Sequence, residues 1–359
     1  MEQTCATNYP VTFKPSNLSS TACPEYFRWI HEDLRLWKST GISRAMVERA
    51  KDYAHFRLVI VDGKVYAEKY KKAFHTRDVF TIWGILQLLR LYPGKVPDLE
   101  LMFSCDDRPV ILKKTTKAQT PLQHHQYFNI VGMRMRWALA ETKDWRAESE
   151  QGYKNSKLED QCTHSRYKIY IEGRGWSVSE KYILACDSMT LFIKPEYYGF
   201  FIRSMVPLQH YWPISARNKC RDIKFAVQWG NNHTDKAQAI GRAGSKFIQE
   251  NLRMEYVYDY MFHLLTEYAK LLKFKPRIPE AAVEVCSETM ACPQRGLWKK
   301  FMEETTVKFP SDTLPCTMPP PYEPRALEAF LERKEDISRQ VEMFESKTFP
   351  GKFESPKRS

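Results

Sequence analysis

Residues 167–193 read YKIYIEGRGWSVSEKYILACDSMTLFI, and this stretch decides the fold class. Its apolar and aromatic residues predict a strand over 167–171, which a Gly-Arg-Gly turn ends. Ser177 and Glu180 have the spacing of a capping box, so we expect a helix to begin at Ser177. The apolar run 189–193 predicts a second strand. A strand, a helix and another strand in this order predict a βαβ unit with parallel pairing.

The turn inside this unit is a candidate anion site. Gly173 and Gly175 let a ligand approach the backbone, and a helix that begins directly afterwards presents unpaired N–H groups and its positive dipole end. Arg174 adds a charge-assisted contact to a diphosphate. The spacing matches neither a GxGxxG fingerprint nor a Walker loop. On the residues alone, an ordinary connection between a strand and a capped helix is the favoured interpretation.

Towards the N-terminus the alternation of strands and helices continues. Strand-like runs over 56–61 and 64–70 flank Asp62-Gly63, a dipeptide typical of a type I′ hairpin turn. Thr76 precedes an amphipathic run that predicts a helix. The apolar run 99–103 predicts another strand. The sequence therefore predicts an α/β domain with some parallel sheet here as well.

Two carboxylates follow the last of these strands. Asp106 and Asp107 stand where open α/β sheets place ligand groups, and neighbours on an extended chain point to opposite sides, so we expect one of them to face a cleft. Such a carboxylate can act as a general base, although an Asp-Arg-Pro turn is the favoured interpretation from the residues alone. The chain has no Asp-x-Asp clamp, and His124 and His125 lack a third spaced ligand, so we expect no metal cofactor.

The composition excludes some classes of protein. A hydrophobic content of 43% excludes general disorder, and the formal net charge of +12 favours an anionic partner. No nucleic-acid module is recognisable, so we expect no nucleic-acid partner. The longest apolar run, residues 79–89, is shorter than the roughly 20 residues that span a bilayer. We expect no membrane span, and without a secretory signal the chain as written is compatible with the cytoplasm.

The nine cysteines contain no Cys-x-x-Cys pair, which argues against a zinc ribbon or a thioredoxin-like site. Cys286, Cys292 and Cys316 are candidates for disulfides, and buried thiols are an alternative of equal weight. Two glycosylation triplets begin at Asn17 and Asn232 and indicate secretion weakly.

Several long tracts resemble one family. They are YFRWIHEDL (26–34), AHFRL (54–58), DLELMFSCDDRP (98–109), DQCTH (160–164), the stretch from 167 to 182 and QHYWP (209–213). These tracts resemble the Rumi-type protein O-glucosyltransferases in the plant branch of glycosyltransferase family 90, which are relatives of capsule-associated xylosyltransferases. The resemblance covers residues 23–112 and 150–345.

This resemblance implies an α/β, GT-B-like pair of Rossmann-type domains with the active site in a cleft between them. It implies an inverting, metal-independent reaction in which a hydroxyl of a protein or polysaccharide attacks a UDP-sugar. By position, Asp107 matches the catalytic base of the family. The residues that match its donor-binding turn are Arg174, Gly175, Trp176, Ser177, Val178 and Ser179. The family also implies the lumen of the Golgi or the endoplasmic reticulum.

The predicted domain boundaries rest on the residue patterns and on the family resemblance. They are a loose leader (1–25), an N-terminal, acceptor-side α/β domain (26–116), an atypical connecting segment (117–157), a C-terminal Rossmann-like nucleotide-sugar domain (158–308), and a Pro-rich linker with a charged helix (309–359). Within the C-terminal domain the sequence also predicts helices over 234–252 and 256–274.

The chain also departs from the family pattern. It lacks the Trp-x-Gly tract that family members carry between the two halves, together with a downstream arginine that holds the donor diphosphate. Residues 117–147 resemble nothing in the family, an internal segment is missing, which leaves the N-terminal domain incomplete, and the membrane anchor is absent. Two predictions therefore stand side by side, an active transferase and an inactive homologue that at most binds UDP. A basic nucleic-acid-binding protein is a third, less favoured one.

Overall fold

The computed structural model describes residues 5, 12–18, 20–73, 76–106, 162, 166–173, 175, 177 and 179–348. The strands are β1 (Phe56–Val61), β2 (Lys64–Lys69), β3 (Leu99–Phe103), β4 (Tyr167–Tyr170), β5 (Met189–Ile193), β6 (Trp212–Ile214) and β7 (Val283–Val285). The α-helices are α1 (Trp29–Asp33), α2 (Arg44–Arg49), α3 (Arg77–Leu91), α4 (Glu180–Leu184), α5 (Lys219–Asn232), α6 (Thr234–Asn251), α7 (Met254–Leu271), α8 (Ser287–Ala291), α9 (Gly296–Thr305) and α10 (Pro324–Thr348). Short 3₁₀ helices span Glu25–Arg28, Arg35–Trp37, Ala50–Tyr53 and Ile202–Ser204.

The described residues divide into two compact units. Unit 1 contains those up to residue 106 together with 254–321, and unit 2 contains residues 162 to 253 together with 322–348. The predicted C-terminal domain over 158–308 is therefore wrong at its end. Residues 254–308 belong to unit 1 because α7 buries apolar side chains such as Met261 and Leu265 in the core of that unit.

Unit 1 is built on an antiparallel sheet with the strand order β3-β1-β2-β7. The predicted hairpin is confirmed, and Asp62 and Gly63 adopt the positive φ values of 50° and 73° that a type I′ turn requires. The parallel sheet that we expected here is wrong for the described residues. Helix α3 does connect two strands of the same direction, β2 and β3, but β1 lies between them and runs the opposite way.

The core of unit 1 lies between this sheet and α3, α7 and α9. Leu58 and Ile60 of β1 are fully buried, as is Trp83 of α3. The predicted helix after Thr76 is confirmed, although the Thr76 side chain makes no capping hydrogen bond. Burial of these large apolar side chains provides most of the stabilisation of such a unit.

Unit 2 contains a parallel sheet with the strand order β4-β5-β6. Tyr167 of β4 pairs with Met189 of β5, and Leu191 pairs with Trp212 of β6. The predicted βαβ unit is therefore confirmed as β4–α4–β5. All five residues of β5 are buried, as expected for the central strand of a sheet covered on both faces. The mixed α/β class is correct, whereas the GT-B-like arrangement stays a prediction.

The helices of unit 2 cover this sheet. Only His233 separates α5 from α6, and Thr234 is the first residue of α6, in agreement with the helix predicted over 234–252. Helix α6 approaches β5 closely at Gly241, where a Cβ atom would lie 2.7 Å from the carbonyl carbon of Ser188. The predicted charged helix is α10, whose Val341 is buried in the core of this unit. No described helix has the length and apolar character that crossing a bilayer requires.

Three disulfides connect distant parts of the chain. They are Cys5–Cys286, Cys23–Cys316 and Cys162–Cys186. Of the three candidate cysteines, Cys286 and Cys316 form disulfides, while Cys292 is an exposed free thiol. The description of residues 1–25 as loose is wrong for its described part, because two of these disulfides and backbone pairing to the segment 312–317 hold it.

Candidate functional site

The first candidate position lies at the carboxyl end of β3. Phe56 pairs with Phe103 there, and the N–H of His55 donates to the Phe103 carbonyl at 2.7 Å. The Cys105 N–H in turn donates to Nδ1 of the His55 ring at 3.0 Å. Because Nδ1 accepts, Nε2 of the neutral ring carries the proton, and it lies 3.5 Å from Oδ1 of Asp106. The buried histidine therefore holds the chain where it leaves the sheet.

Arg77, the first residue of α3, holds the same segment through two carbonyl groups. Its Nη1 donates to the carbonyl oxygen of Cys105 at 3.4 Å and to that of Asp106. Burial raises the pKa of the Cys105 thiol to about 12, so this cysteine is not a nucleophile at neutral pH. Asp107, the sequence-predicted base, is the next residue along the chain and lies outside the described residues.

The second candidate position follows β4 at the carboxyl edge of the parallel sheet. Gly175 is buried, and the Ser177 N–H donates to the hydroxyl of Tyr170 at 3.3 Å. The hydroxyl groups of Ser177 and Ser179 are hydrogen-bonded to each other at 2.8 Å. Three further predicted residues of this turn lie outside the described part of the chain, namely Arg174, Trp176 and Val178. The turn thus stands where parallel α/β sheets bind ligands.

The capping box predicted for this turn is wrong. Helix α4 begins at Glu180, its N-cap is Ser179, and no side chain caps it. Glu180 is instead buried, at 2% exposure, and its Oε1 atom has no hydrogen-bond partner among the described residues. A helix of five residues also aligns few peptide dipoles, so its positive end is weaker than the sequence suggested.

The pKa of the buried Glu180 carboxyl group is raised. Burial raises its pKa to about 8, against the opposing effect of Lys181, and the nearby carboxylate of Glu172 adds to the increase. Glu172 accepts hydrogen bonds from the N–H groups of Glu196 at 2.7 Å and Tyr197 at 3.1 Å. Glu172 therefore connects the end of β4 with the loop that follows β5.

Two other features of the described residues are not part of this site. A cavity of about 280 Å³ lies at the opposite, amino edge of β4 and β5, between Arg166, Asp187 and Gln238, and none of the predicted site residues lines it. Cys23 and Cys316 lie beside His263, within metal-binding distance of one another, but their sulfur atoms are joined in a disulfide and cannot act as thiolate ligands. The remaining metal-ligand candidates of the sequence, His124 and His125, lie outside the described residues.

Comparison with known proteins identifies the family. The model of glycosyl transferase family 90 matches residues 18–131 and 127–345. The chain belongs to glycosyl transferase family 90. The match includes residues 117–147, so the prediction that this segment resembles nothing in the family is wrong. The two parts of the match overlap at 127–131, which places a break of the family pattern inside the segment that the sequence analysis found atypical.

Curated relatives of this family 90 chain are O-glucosyltransferases. An O-glucosyltransferase rumi homolog of Anopheles gambiae is 22% identical over 342 residues, covering 74% of this chain and 84% of the relative. Protein O-glucosyltransferase 1 of Bos taurus is 25% identical over 333 residues, covering 71% and 82%. Protein O-glucosyltransferase 1 of Rattus norvegicus is 32% identical over 113 residues, covering 31% and 28%.

These alignments also bear on the missing segment. An alignment of 342 residues that occupies only 74% of a 359-residue chain contains positions of the relative that have no counterpart here. The chain therefore lacks positions that this relative has; that they form one internal segment stays a prediction.

Sequence reasoning missed His55 and Arg77. His55 stands in the tract 54–58, which resembles the family, but no spacing connects it with Cys105, 50 positions later. Only the antiparallel pairing of β1 with β3 brings them together. The resemblance of both tracts to one family was the single available signal.

The raised pKa of Glu180 predicts a pH dependence of stability. The carboxyl group of glutamate in an unfolded chain has a pKa of about 4.3. Because the folded-state pKa of Glu180 is higher, its contribution to stability is fully present below pH ~4.3 and is lost as the pH rises to about 8. We expect the melting temperature of the wild type to fall relative to that of Glu180→Gln between pH 5 and pH 8, because glutamine stays neutral. Thermal unfolding of both proteins at several pH values measures this difference. A difference in melting temperature between the two proteins that is independent of pH would contradict a raised pKa of Glu180.

Proposed function

We propose that this chain transfers a sugar from a UDP-sugar donor to a hydroxyl group of a protein or polysaccharide. The observation that carries the proposal is the family match, which extends over both halves of the chain and contains residue 107 as well as residues 174–179. The relatives named above are O-glucosyltransferases, which makes glucose one candidate for the transferred sugar. Xylose is the other candidate, through the resemblance to xylosyltransferases.

Asp107 is the general base of the proposed reaction. The acceptor hydroxyl gives its proton to the Asp107 carboxylate while its oxygen forms a bond to the anomeric carbon of the sugar. The bond from that carbon to UDP breaks at the same time, so UDP leaves with the electron pair and the configuration is inverted. The position of Asp107 supports this role, because it directly follows the segment that His55 and Arg77 hold at the end of a buried strand.

The donor diphosphate is bound by the turn after β4 in this proposal. Arg174 contributes a charge-assisted contact, and Gly175 allows the phosphates to approach the backbone. The hydroxyls of Ser177 and Ser179 complete the polar lining, and Trp176 and Val178 complete the turn. Fixed donors of this kind stabilise a departing diphosphate without a metal ion, so the proposed reaction is metal-independent.

An inactive homologue that at most binds UDP is the alternative. The observation that favours it is that the alignments with the O-glucosyltransferases contain positions without a counterpart in this chain. The family resemblance also implies a Trp-x-Gly tract with a downstream, diphosphate-holding arginine, and this tract is absent from the sequence. This alternative predicts UDP binding without sugar transfer. It is therefore separated from the main proposal by an assay of turnover.

Replacement of Asp107 tests the proposed base. We expect Asp107→Asn to lower the rate of sugar transfer by a factor of about 10²–10⁴, because the amide cannot accept the hydroxyl proton. Asp106→Asn is the matched control, and we expect a loss of less than about tenfold, because this substitution leaves the carboxylate of residue 107 in place. Release of UDP in the presence of an acceptor measures both. Equal activity of Asp107→Asn and the wild type would exclude Asp107 as the base.

We further propose that the chain works in the lumen of the endoplasmic reticulum or the Golgi. Three disulfides support this location, because disulfides persist in oxidising compartments and are rare in the cytosol. A glycosylation triplet, Asn232-His-Thr234, supports it as well. Asn232 ends α5 and is exposed, as is Thr234 at the beginning of α6.

Expression behind a secretion leader tests this location. We expect the secreted chain to carry an N-linked glycan on Asn232, so that Asn232→Gln lacks one glycan mass relative to the wild type. Asn231→Gln is the matched control, because Asn231 is exposed beside it but does not begin such a triplet. Mass spectrometry before and after treatment with an N-glycosidase measures the difference. An unmodified Asn232 in secreted, disulfide-bonded protein would contradict this part of the proposal.

A further inference from the structure

We propose that His55 and Arg77 are positioning residues that orient the general base at residue 107 by fixing the backbone of residues 104–106. The inference rests on the proposed function for the role of Asp107. The hydrogen bonds that His55 and Arg77 make to the main chain of Cys105 and Asp106 are observed between described residues. Neither residue touches a reacting atom in this account, since both act through the main chain.

The main chain of His55 is held by hydrogen bonds at both its N–H and its carbonyl group. Its N–H donates to the carbonyl of Phe103, and its carbonyl accepts from the N–H groups of Tyr70 at 2.8 Å and Lys71 at 3.1 Å. The histidine is therefore anchored to the ends of both β2 and β3. The main chain of His55 is thus fixed, and its ring is buried and accepts the Cys105 N–H at Nδ1, which defines the orientation of the ring.

Nδ1 of His55 lies just beyond the last hydrogen bonds between β1 and β3. The strand stops at Phe103, and beyond it the Cys105 N–H has no strand partner. Cys105 is itself buried, so an unmade hydrogen bond at this N–H would be costly. The His55 ring accepts this N–H at 3.0 Å, and thereby selects one direction in which the chain leaves the sheet.

Arg77 fixes the next peptide. Its guanidinium group donates to the carbonyl of Cys105 and to that of Asp106. The Asp106 carbonyl belongs to the planar peptide group that also contains the N and Cα atoms of Asp107. Holding this oxygen therefore orients the plane from which the base extends. As the first residue of a 15-residue helix packed in the core, Arg77 provides a rigid point of attachment.

This arrangement suits a base whose position decides the rate. A general base acts only within hydrogen-bond reach of the proton that it removes, and a displacement of about 1 Å costs roughly a hundredfold in rate. Residues 104–106 follow the last residue of β3, so strand pairing does not hold them. The buried His55 ring and the half-buried Arg77 side chain bind this main chain and hold it in place.

Two substitutions of His55 distinguish the roles of its two ring nitrogens. Asparagine places an amide oxygen near the position of Nδ1, whereas glutamine places its amide near the position of Nε2. We expect His55→Gln to lower kcat at least tenfold with little change of the KM for the donor, because the Cys105 N–H loses its acceptor. We expect His55→Asn to restore most of this loss. His31→Asn is the control, since this histidine of unit 1 contacts the Pro319 carbonyl instead.

Substitution of Arg77 provides a second, independent variant. We expect Arg77→Gln to lower kcat at least tenfold. Arg90→Gln is its control on the same helix, because Arg90 pairs with Glu288 and not with the segment 104–106. This control is expected to lower the melting temperature but to leave kcat within about twofold. Arg77→Gln also keeps the proposal testable should His55→Gln fail to fold.

Labelling of Cys105 provides a readout that needs no enzyme activity. Its buried thiol is expected to resist a maleimide in the native wild type, unlike the exposed Cys220 and Cys292, and peptide mapping distinguishes the three. We expect faster labelling of Cys105 in His55→Gln and Arg77→Gln, but not in His55→Asn. If the wild type has no transfer activity and these labelling differences still occur, the proposed function fails while the hold on residues 104–106 stands. Unchanged kcat together with a protected Cys105 in both variants overturns the inference.

Discussion

The antiparallel pairing of β1 with β3 is the constraint on which unit 1 depends. It places β1, whose residues 56–60 are all buried, next to β3 and sets Phe56 opposite Phe103. This register brings His55, at the start of β1, next to Cys105, beyond the end of β3. A shift by one residue would turn every side chain of β1 to the other face and would separate the histidine from the segment it holds.

Features that depend on neighbouring residues could be predicted from the sequence. The Asp62-Gly63 hairpin, the helix before β3 and the strand 189–193 follow from turn chemistry and apolar periodicity, and all three are confirmed. The βαβ unit is confirmed for the same reason. The capping box at Ser177 was not, because Glu180 is drawn into the protein interior instead of returning to the helix terminus.

Features that depend on distant residues could not be predicted. Whether β3 pairs in a parallel or an antiparallel way depends on which strand it lies beside, and the sequence of β3 is compatible with both. Residues 254–308 were assigned to the wrong half because an apolar helix face does not specify the core that it enters. The partner of Cys286 is Cys5, 281 positions away, and no spacing indicates such a pair. The candidate residues Asp107 and Arg174 were named through family resemblance and position, and their roles remain proposals.

Binding of UDP tests the central claim most directly. A ligand that binds only the folded state raises its stability by ~2.7 kcal/mol at a hundred times its dissociation constant, so thermal unfolding with and without excess UDP reports on a donor site. We expect a clear rise of the melting temperature with UDP, a smaller one with ADP, and little rise with UDP in an Arg174→Ala variant. An unchanged melting temperature of the wild type in UDP, or an equal rise in the variant, would contradict a donor site in the turn after β4.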